Sequence, residues 1–388
     1  FGGLLLGGSP DQSPAGAVTI PAGSGAVFLY TWTPTGAGQL RTYIEGDFYG
    51  TNDSGQNVNF RLRQAYAQFR GKRKKVVMSP SLHPQYREVI RTYTQGLEVE
   101  NAGDDASADL EAGPEALTSL VDENTMLVIV QYPDFFGRIY DYTKLIEDAH
   151  AKGALVCIVA NPTALLMLKT PAEMGADIVV GEAQPFGIPL WYGGPYLGFF
   201  TTKKSYVHKM AGRLIGETVD NRGQRSYVLT LTAREQHIKR ERATSNICTA
   251  QALLANMAGF FAVYHGPEGI KMISERVHSI ATFLAVEIEK LGYKQLNTNY
   301  FDTIRFELPK HVKREDIEWL SLELEMNFRY FENGEIGISI DETTNREDMG
   351  WILEVFAKAA NKRWQVIHEY PENAEIDKKF ARTSEFMK

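Results

Sequence analysis

The sequence has few cysteines, no long apolar run and no excess of positive charge, and each absence excludes a class of protein. Its 388 residues include only two cysteines, Cys157 and Cys248, which excludes a disulfide-stapled scaffold and a cysteine-based metal site and favours a reduced compartment. No stretch reaches the roughly 18 consecutive apolar residues of a transmembrane helix. The net charge of -7 argues against a nucleic-acid-binding domain.

The N-terminus lacks an initiator methionine, since the chain starts at Phe1, and residues 1–8 have no basic segment of the kind that opens a signal peptide. We therefore expect a cytoplasmic fragment without a signal peptide. The length, with 44% hydrophobic and 23% charged residues, predicts a soluble globular protein of two domains with a sizeable core.

Residues 177–200 have the layout of a catalytic loop but lack the residue types expected to react covalently with a substrate. Their pattern predicts a short buried strand at 177–180, a loop rich in proline, glycine and aromatic residues, and a second strand at 196–202. In α/β enzymes, the loop that leaves the carboxyl end of a strand often carries a catalytic group. This segment contains no lysine, serine, cysteine or histidine, so it offers no side chain that could form an imine or ester with a substrate.

Residues 1–70 differ from the rest of the chain in being rich in glycine, serine, threonine, asparagine and aromatic residues. Apolar and charged residues alternate over 41–48 and again over 60–63, with a polar, turn-like segment between them, and this predicts a β-hairpin. The two strands resemble a hairpin of the outer-membrane porins, although two strands cannot close a barrel. A half-buried hairpin of a soluble sheet fits the alternation equally well.

From residue 72 onward, short apolar strands alternate with amphipathic helices. We predict strands at residues 74–78, 125–131, 154–160 and 177–180, and helices at residues 84–95, 113–121, 142–152 and 162–168. Strands that are apolar throughout and separated by helices indicate a mostly parallel sheet covered on both faces, in three layers. We assign residues 72–248 to this large α/β domain.

The remaining residues predict a long helical connection followed by a small α+β domain. The connection covers residues 249–291 and is interrupted at His265-Gly266-Pro267, and the small domain covers residues 292–388. Within it we predict a strand at 303–308, a helix at 313–325, strands at 328–331 and 335–340 joined by an Asn-Gly turn, and a closing helix at 344–361. This is the plan of the pyridoxal-phosphate enzymes of fold type I.

Six motifs connect this plan to a family. They are S-L-H-P-Q-Y-R-E-V at 81–89, V-Q-Y-P-D-F-F-G at 130–137, G-A-D-I-V-V-G-E-A-Q-P-F-G-I-P at 175–189, T-A-R-E-Q-H-I-K-R-E-R-A-T-S-N-I-C-T at 232–249, Y-H-G-P-E-G at 264–269 and N-F-R-Y-F at 327–331. Through them the chain resembles, from about residue 72 to its end, the P-protein family of the glycine cleavage system, the glycine dehydrogenases (decarboxylating). It resembles the half of those enzymes that lacks the cofactor lysine, and residues 380–387 resemble the linker into the other half.

The resemblance implies that pyridoxal phosphate is held by a lysine-bearing partner half rather than by this chain. In fold type I the cofactor lysine follows a sheet strand, at about the place where this chain has Gln184 and Pro185. The same fold pairs the pyridine nitrogen with an aspartate, where this chain has Asn161. A simpler interpretation is that Asn161 caps the helix predicted from Pro162. Lys169, Lys203 and Lys204 are interpreted as surface residues.

The resemblance further implies that this chain supplies residues to the mouth of a shared active site. The candidates are Gln131, Tyr132, Phe135, Asn161, Gly193, Gly194, Arg234, His237, Thr244, Ser245 and Asn246. Ordinary structural roles compete with these assignments. Residues 234–242 are a mixed-charge run of the kind that forms solvated faces, residues 244–246 could cap the long helix, and His83 fits a structural loop residue. The implied partners are the lysine-bearing half, the lipoyl carrier (H) protein and glycine, with no metal and no nucleic acid.

The N-terminal side departs from the family, because the resemblance implies further elements ahead of residue 72. We therefore expect a sheet truncated on that side, and a chimera joined near residues 70–72 would explain the porin-like hairpin. Three functions follow. The first is a subunit of glycine dehydrogenase that is inactive alone. The second is a non-enzymatic assembly or regulatory protein that keeps the fold. The third is an inactive chimeric fragment, in which a membrane-associated porin segment carries the remaining residues as a passenger domain.

Overall fold

The computed structural model describes residues 73–95, 97–105, 108–190, 195–209, 214–230, 250–364 and 374–387, together with the backbone of three N-terminal strands. None of the helices in these ranges combines the length and the apolar character needed to cross a membrane.

The described strands fall into three sheets. They are β1 (Val18–Thr19), β2 (Val27–Trp32), β3 (Leu40–Glu45), β4 (Lys75–Met78), β5 (Glu100–Ala102), β6 (Thr125–Tyr132), β7 (Leu155–Ala160), β8 (Ile178–Glu182), β9 (Gly198–Lys203), β10 (Leu214–Val219), β11 (Arg225–Thr230), β12 (Lys294–Gln295), β13 (Thr303–Glu307), β14 (Arg329–Tyr330) and β15 (Ile336–Ser339). The helices are α1 (Pro84–Thr94), α2 (Glu115–Thr118), α3 (Thr143–Ala151), α4 (Pro171–Met174), α5 (Ala250–Lys290), α6 (Arg314–Glu323) and α7 (Arg346–Ala359).

The largest sheet has the strand order β1-β2-β3-β9-β8-β7-β6-β4-β5. Strands β5, β4, β6, β7 and β8 run parallel to one another, whereas β9 is antiparallel to β8. The mostly parallel sheet predicted from the apolar runs is confirmed. It places the carboxyl ends of five strands along one edge, and α/β proteins build their sites at such an edge.

Apolar side chains cover both faces of this sheet. Val128 and Val130 of β6 belong to one buried cluster. Leu127 and Ile129, which alternate with them along the strand, belong to a second cluster on the opposite face. Successive side chains of a strand point to opposite faces, so a strand that is apolar throughout must be buried on both. This arrangement confirms the predicted three layers.

The N-terminal strands continue the same sheet. β3 lies between β2 and β9 and pairs with both, so its two edges are occupied at Leu40–Tyr43. The alternating segment predicted at 41–48 contains β3 (Leu40–Glu45). Its predicted partner at 60–63 lies outside the described residues, which exclude 46–72. β9 pairs with β3 on the side away from β8.

The C-terminal part contains the long helix and the small sheet that the sequence predicts. α5 is kinked at Gly266, whose backbone is non-helical, and Pro267 follows it. The small sheet has the order β12-β13-β15-β14, and β14 and β15 form an antiparallel hairpin. Gly334 of the predicted Asn-Gly turn has a φ of 88°. Asn345 caps α7 by accepting hydrogen bonds from the backbone of Glu347 and Asp348.

Two predicted helices are much shorter than expected. The segment 113–121 is helical only over Glu115–Thr118, and the segment 162–168 contains only a 3₁₀ turn at Ala164–Leu166. The second segment ends early because it pairs with the C-terminal residues. The Lys169 N–H donates to the Phe380 carbonyl, and the Arg382 N–H donates to the Met167 carbonyl, both at 2.7 Å.

Candidate functional site at the carboxyl edge of the sheet

Those predicted site residues that the structure describes lie along the carboxyl edge of the main sheet. The next strand along the chain after β4 is β5, which lies on one side of β4 in the sheet. The strand after that, β6, lies on the other side of β4, so the direction in which strands are added reverses between β4 and β6. Open α/β sheets bind ligands at such a reversal. Gln131 and Tyr132 end β6, Asn161 follows β7, and Gln184 follows β8.

Gln131 and Phe135 meet the loop that follows β4. The Gln131 Oε1 atom accepts a hydrogen bond of 2.8 Å from the His83 N–H, and the Phe135 ring packs edge-on against the His83 ring at 5.0 Å. From the small sheet, the Arg329 guanidinium lies 5.3 Å from the centre of the Phe135 ring. The two loops and the small sheet therefore meet at one place, and both predicted side chains are half-buried there.

His83 has a structural role in this arrangement. Its Nδ1 atom accepts a hydrogen bond of 3.2 Å from the Gln85 N–H and so caps α1, which leaves the proton of the neutral ring on Nε2. Burial lowers the pKa of His83 to about 4, and the positive charges of Arg329 and Arg87 contribute. The imidazole is therefore neutral near pH 7, consistent with the interpretation of His83 as a loop residue.

Tyr132 is directed into the core. Its side chain is almost fully buried, and its ring packs against the Tyr142 ring at 6.1 Å between centres. The Tyr142 hydroxyl donates a hydrogen bond of 3.0 Å to the Gln131 carbonyl. Tyr132 therefore supports the end of β6 from the core, while Gln131 and Phe135 contact His83 in the loop that follows β4.

Asn161 connects the large sheet to the small one. Its Nδ2 atom donates a hydrogen bond of 2.8 Å to Asp302 Oδ2, and its Oδ1 atom accepts one of 3.0 Å from the Thr163 N–H. The second bond is the capping interaction that the simpler interpretation of Asn161 predicts, although it closes a turn rather than a helix. The first bond fixes the amide opposite a carboxylate.

A cavity of about 400 Å³ brings Asn161, Gln184 and Pro185 together. Three carboxylates also line it, those of Asp302, Asp341 and Glu342, whereas no lysine, arginine or histidine is among its described lining residues. Burial raises the pKa of Asp302 to about 6, and burial also raises the pKa of Glu342. The cavity is therefore acidic, with amide groups where the family resemblance places charged cofactor ligands.

Two of the three lysines interpreted as surface residues form ion pairs, and Lys203 lies at the amino end of β8 rather than at this edge. Lys203 donates to Asp177 Oδ1 at 2.6 Å and to the Gly175 carbonyl at 2.9 Å. Lys169 forms an ion pair with Asp141 at 2.9 Å. Lys204 is exposed. None of these three lysines lines the cavity, in agreement with their interpretation as surface residues.

Glu182, at the end of β8, holds both ends of the loop that follows. Its Oε1 atom accepts hydrogen bonds from the Leu197 N–H and, at 3.1 Å, from the Gln184 N–H. Its Oε2 atom is buried and has no hydrogen-bond partner. Burial raises the pKa of Glu182 to about 7. Burial also raises the pKa of Tyr86, and the nearby Glu182 and Tyr196 raise it further.

The other predicted site residues lie outside the described residues. They are Gly193, Gly194, Arg234, His237, Thr244, Ser245 and Asn246.

The model of one protein family, described as glycine cleavage system P-protein, matches residues 53–356. The chain belongs to the glycine cleavage system P-protein family. The match begins inside the segment that resembles a porin hairpin, and neither the porin resemblance nor a junction at residues 70–72 is supported. In the part of the chain described, no group of three or more histidine, cysteine or carboxylate side chains could hold a metal ion.

P-protein relatives occur in bacteria and in eukaryotes. Glycine dehydrogenase (decarboxylating) of Bacteroides thetaiotaomicron is 50% identical over 259 residues, which are 67% of this chain and 27% of that protein. The mitochondrial glycine dehydrogenase (decarboxylating) of Homo sapiens is 40% identical over 295 residues, which are 74% of this chain and 27% of that protein. The chain thus spans only about a quarter of the length of these two relatives.

Solved structures show the fold. A crystal structure of glycine decarboxylase (P-protein) of the glycine cleavage system, in inhibitor-bound form, has a TM-score of 0.69 and 30% identity. The match covers 81% of this chain and 70% of that one. A NifS-like protein has 15% identity and a TM-score of 0.55, and the match covers 78% of this chain and 79% of the NifS-like chain. At this identity the likeness shows the fold alone. The chain has the pyridoxal-phosphate-dependent fold type I, as the sequence predicts.

This fold and the P-protein family imply pyridoxal phosphate as a cofactor, but the described cavity does not fit it. No lysine is among the described lining residues to hold the cofactor covalently. Three carboxylates line the cavity, with no cation among the described lining residues, and their negative charge would repel the phosphate group of the cofactor. The Asn161 amide, already donating to Asp302, carries no charge to stabilise a protonated pyridine nitrogen.

Glu182 and Asp302 are not among the site residues predicted from the sequence. An acid directly after the apolar run I-V-V-G is a signal for Glu182, because charged residues seldom end a buried strand without a specific partner. For Asp302 the sequence carries no comparable signal, since its partner Asn161 is 141 residues away along the chain.

Replacement of Glu182 by glutamine should change how stability depends on pH. The pKa of Glu182 rises from its ordinary value of 4.5 to about 7 on folding. The folded state therefore binds more protons than the unfolded state between these values, and wild-type stability is lost as pH rises through this window. Glutamine keeps the Oε1 acceptor and cannot ionise, so the free energy of unfolding of Glu182→Gln relative to wild type should be greater at pH 8 than at pH 4.5 by about 3 kcal/mol.

Urea unfolding at pH 4.5 and pH 8 measures this difference. Asp302 is retained in both proteins, so its own titration cancels in the comparison. If wild type and Glu182→Gln change in parallel between the two pH values, Glu182 does not titrate as described.

Proposed function

We propose that the chain is the lysine-free part of a glycine dehydrogenase (decarboxylating), and that it acts with a lysine-bearing part of the same enzyme. The observation that carries this proposal is the cavity at the ends of β7 and β8. Gln184 and Pro185 line it at the position that the family resemblance gives to the cofactor lysine, and Asn161 lines it at the position of the aspartate. Membership of the P-protein family supports the reaction class.

In this function the chain contributes shape and polarity to a shared site rather than the reacting group. Pyridoxal phosphate, held by the lysine of the partner half, supplies the electron sink that decarboxylation of glycine requires. The described residues hold the carboxyl edge in place. Gln131 fixes the His83 loop by accepting its N–H, Glu182 joins the two ends of the loop after β8, and Phe135 packs between His83 and Arg329.

The other partners follow from the same proposal. The substrate is glycine, and the lipoyl carrier protein receives the aminomethyl group. We place the complex in the cytoplasm, in keeping with the few cysteines of the sequence.

Cofactor trapping tests where pyridoxal phosphate is held. Borohydride reduction fixes the cofactor permanently to the lysine that holds it, and peptide mass analysis identifies that lysine. With equimolar cofactor, we expect no stoichiometric label on this chain alone, because the described residues of its cavity include no lysine. In a mixture with a lysine-bearing P-protein part, the label should map to the partner. One label per chain at a single lysine of this sequence would contradict the proposal.

A further inference from the structure

The first arm of α5, residues 250–265, differs from an ordinary surface helix in having no charged residue. One face of this arm packs into the core through Leu254, Ala255 and Ala258, and Ala262 on the same face is buried. The opposite face is also apolar. By contrast, the second arm beyond the kink at Gly266 carries a normal number of acidic and basic residues. An uncharged outer face on a helix that reaches solvent indicates a surface that another molecule covers.

The outer face of the first arm presents a regular apolar stripe, which we define as Leu253, Met257, Phe260 and Tyr264. These residues are spaced by four, three and four positions, the spacing at which side chains fall on one seam of a helix. Leu253 is 64% exposed, Phe260 57% and Tyr264 86%, whereas Met257 is partly buried against the core, so three of the four residues are open to solvent. With a rise of 1.5 Å per residue, it is about 16 Å long.

The stripe is continuous with the loop that lines the candidate site. Phe261, next to it on α5, stacks on Phe186 of the loop after β8 at 6.1 Å between ring centres. Gly187 packs so closely that a Cβ atom there would lie 2.6 Å from the Phe261 ring. Leu190, which lines the cavity, is 59% exposed on the same loop. A molecule that covers the stripe is therefore positioned beside the cavity.

We propose that the apolar stripe is the surface on which the lysine-bearing part of glycine dehydrogenase packs, through an uncharged apolar face of its own. This inference rests on the proposed function. The chain spans only 27% and 32% of the length of two glycine dehydrogenases of Bacteroides species, so most of the polypeptide of these enzymes lies outside it. Permanent interfaces are apolar and depleted of charge, as the stripe is. A second copy of this chain fits less well, because it would leave both cavities without a lysine.

A charge-introducing variant tests the stripe against a matched control. Leu253→Glu combined with Phe260→Glu places two carboxylates in the stripe. Met272→Glu changes an apolar residue of similar exposure, 63%, on the second arm of the same helix. Binding to a separately produced lysine-bearing P-protein part is measured by titration calorimetry. Loss of a single hot-spot residue costs at least about 2 kcal/mol, so the double variant should bind at least about 30-fold more weakly, whereas Met272→Glu should bind as wild type does.

The outcomes separate this inference from the proposed function. Absence of binding by wild type contradicts both. Equal binding by wild type and the double variant overturns the stripe and leaves the proposed function standing. If wild type self-associates and the double variant does not, while both bind the lysine-bearing part equally, the stripe is the contact surface for a second copy of this chain and the inference is overturned. Circular dichroism and thermal unfolding verify that each variant is folded. If the two glutamates prevent folding, the variant with Leu253→Gln and Phe260→Gln is used for the same binding measurement.

Discussion

Asp134→Ala is expected to lower the free energy of unfolding by about 3 to 5 kcal/mol, because it leaves buried groups without their partner. The Asp134 side chain is fully buried. It accepts hydrogen bonds from the Phe136 N–H at 3.0 Å, from the Arg138 N–H at 2.8 Å and from Arg138 Nε at 2.8 Å. Alanine removes all three acceptor contacts and leaves the mostly buried Arg138 guanidinium without its nearest carboxylate.

The same carboxylate organises the loop that carries Phe135, so its loss should also disturb the packing of Phe135 against His83. Asp109→Ala is the matched control, because the exposed Asp109 accepts a hydrogen bond of 2.9 Å from the Glu111 N–H in a similar turn. Urea unfolding should show a change of about 1 kcal/mol or less for this control. If Asp134→Ala were as mild as Asp109→Ala, the turn at 134–138 would not be the organising element that the geometry indicates.

Gly181→Ala should cost about 3 kcal/mol, because β8 has no room for a side chain at this position. A Cβ atom would lie 2.2 Å from the Ala160 carbonyl oxygen and 2.4 Å from the Phe199 ring. Ala160 and Phe199 belong to β7 and β9, which pair with β8 on its two sides. The Ala160 contact is with backbone, which cannot move away without breaking the pairing of β7 with β8 next to Glu182. Movement of the Phe199 ring alone therefore does not relieve the strain.

Gly113→Ala is the control for this substitution. A Cβ atom there would meet only the end of the Glu115 side chain, at 2.5 Å, which can rotate away. Thermal and urea unfolding should therefore place Gly113→Ala within about 1 kcal/mol of wild type. A Gly181→Ala protein of nearly wild-type stability would show that the centre of the sheet is more loosely packed than described.

The sequence predicts the central elements well where hydrophobic pattern determines them. The strand predicted at 125–131 is β6 (Thr125–Tyr132), and the interruption predicted at 265–267 is the kink of α5 at Gly266. Burial on both faces makes such strands apolar throughout, and a Gly-Pro pair rarely continues a helix, so both signals are local.

The sequence failed where distant contacts decide the structure. The segment after Pro162 has a helical pattern, but its end pairs with Phe380 and Arg382, which no local pattern reveals. For the site, the family resemblance identified Asn161, Gln184 and Pro185, and the structure brings them to one cavity. The carboxylate opposite Asn161 was not predicted, because Asp302 comes from another part of the chain.

Glycine-dependent carbon dioxide exchange tests the central claim most directly. A lysine-bearing P-protein part and the lipoyl carrier protein are assayed with and without this chain, and an intact homologous lysine-free half serves as the positive control. We predict that the chain raises exchange well above the background of the lysine-bearing part alone and has no activity by itself. Exchange that stays at background, while the homologous half restores it under the same conditions, would contradict the proposal that this chain completes a shared active site.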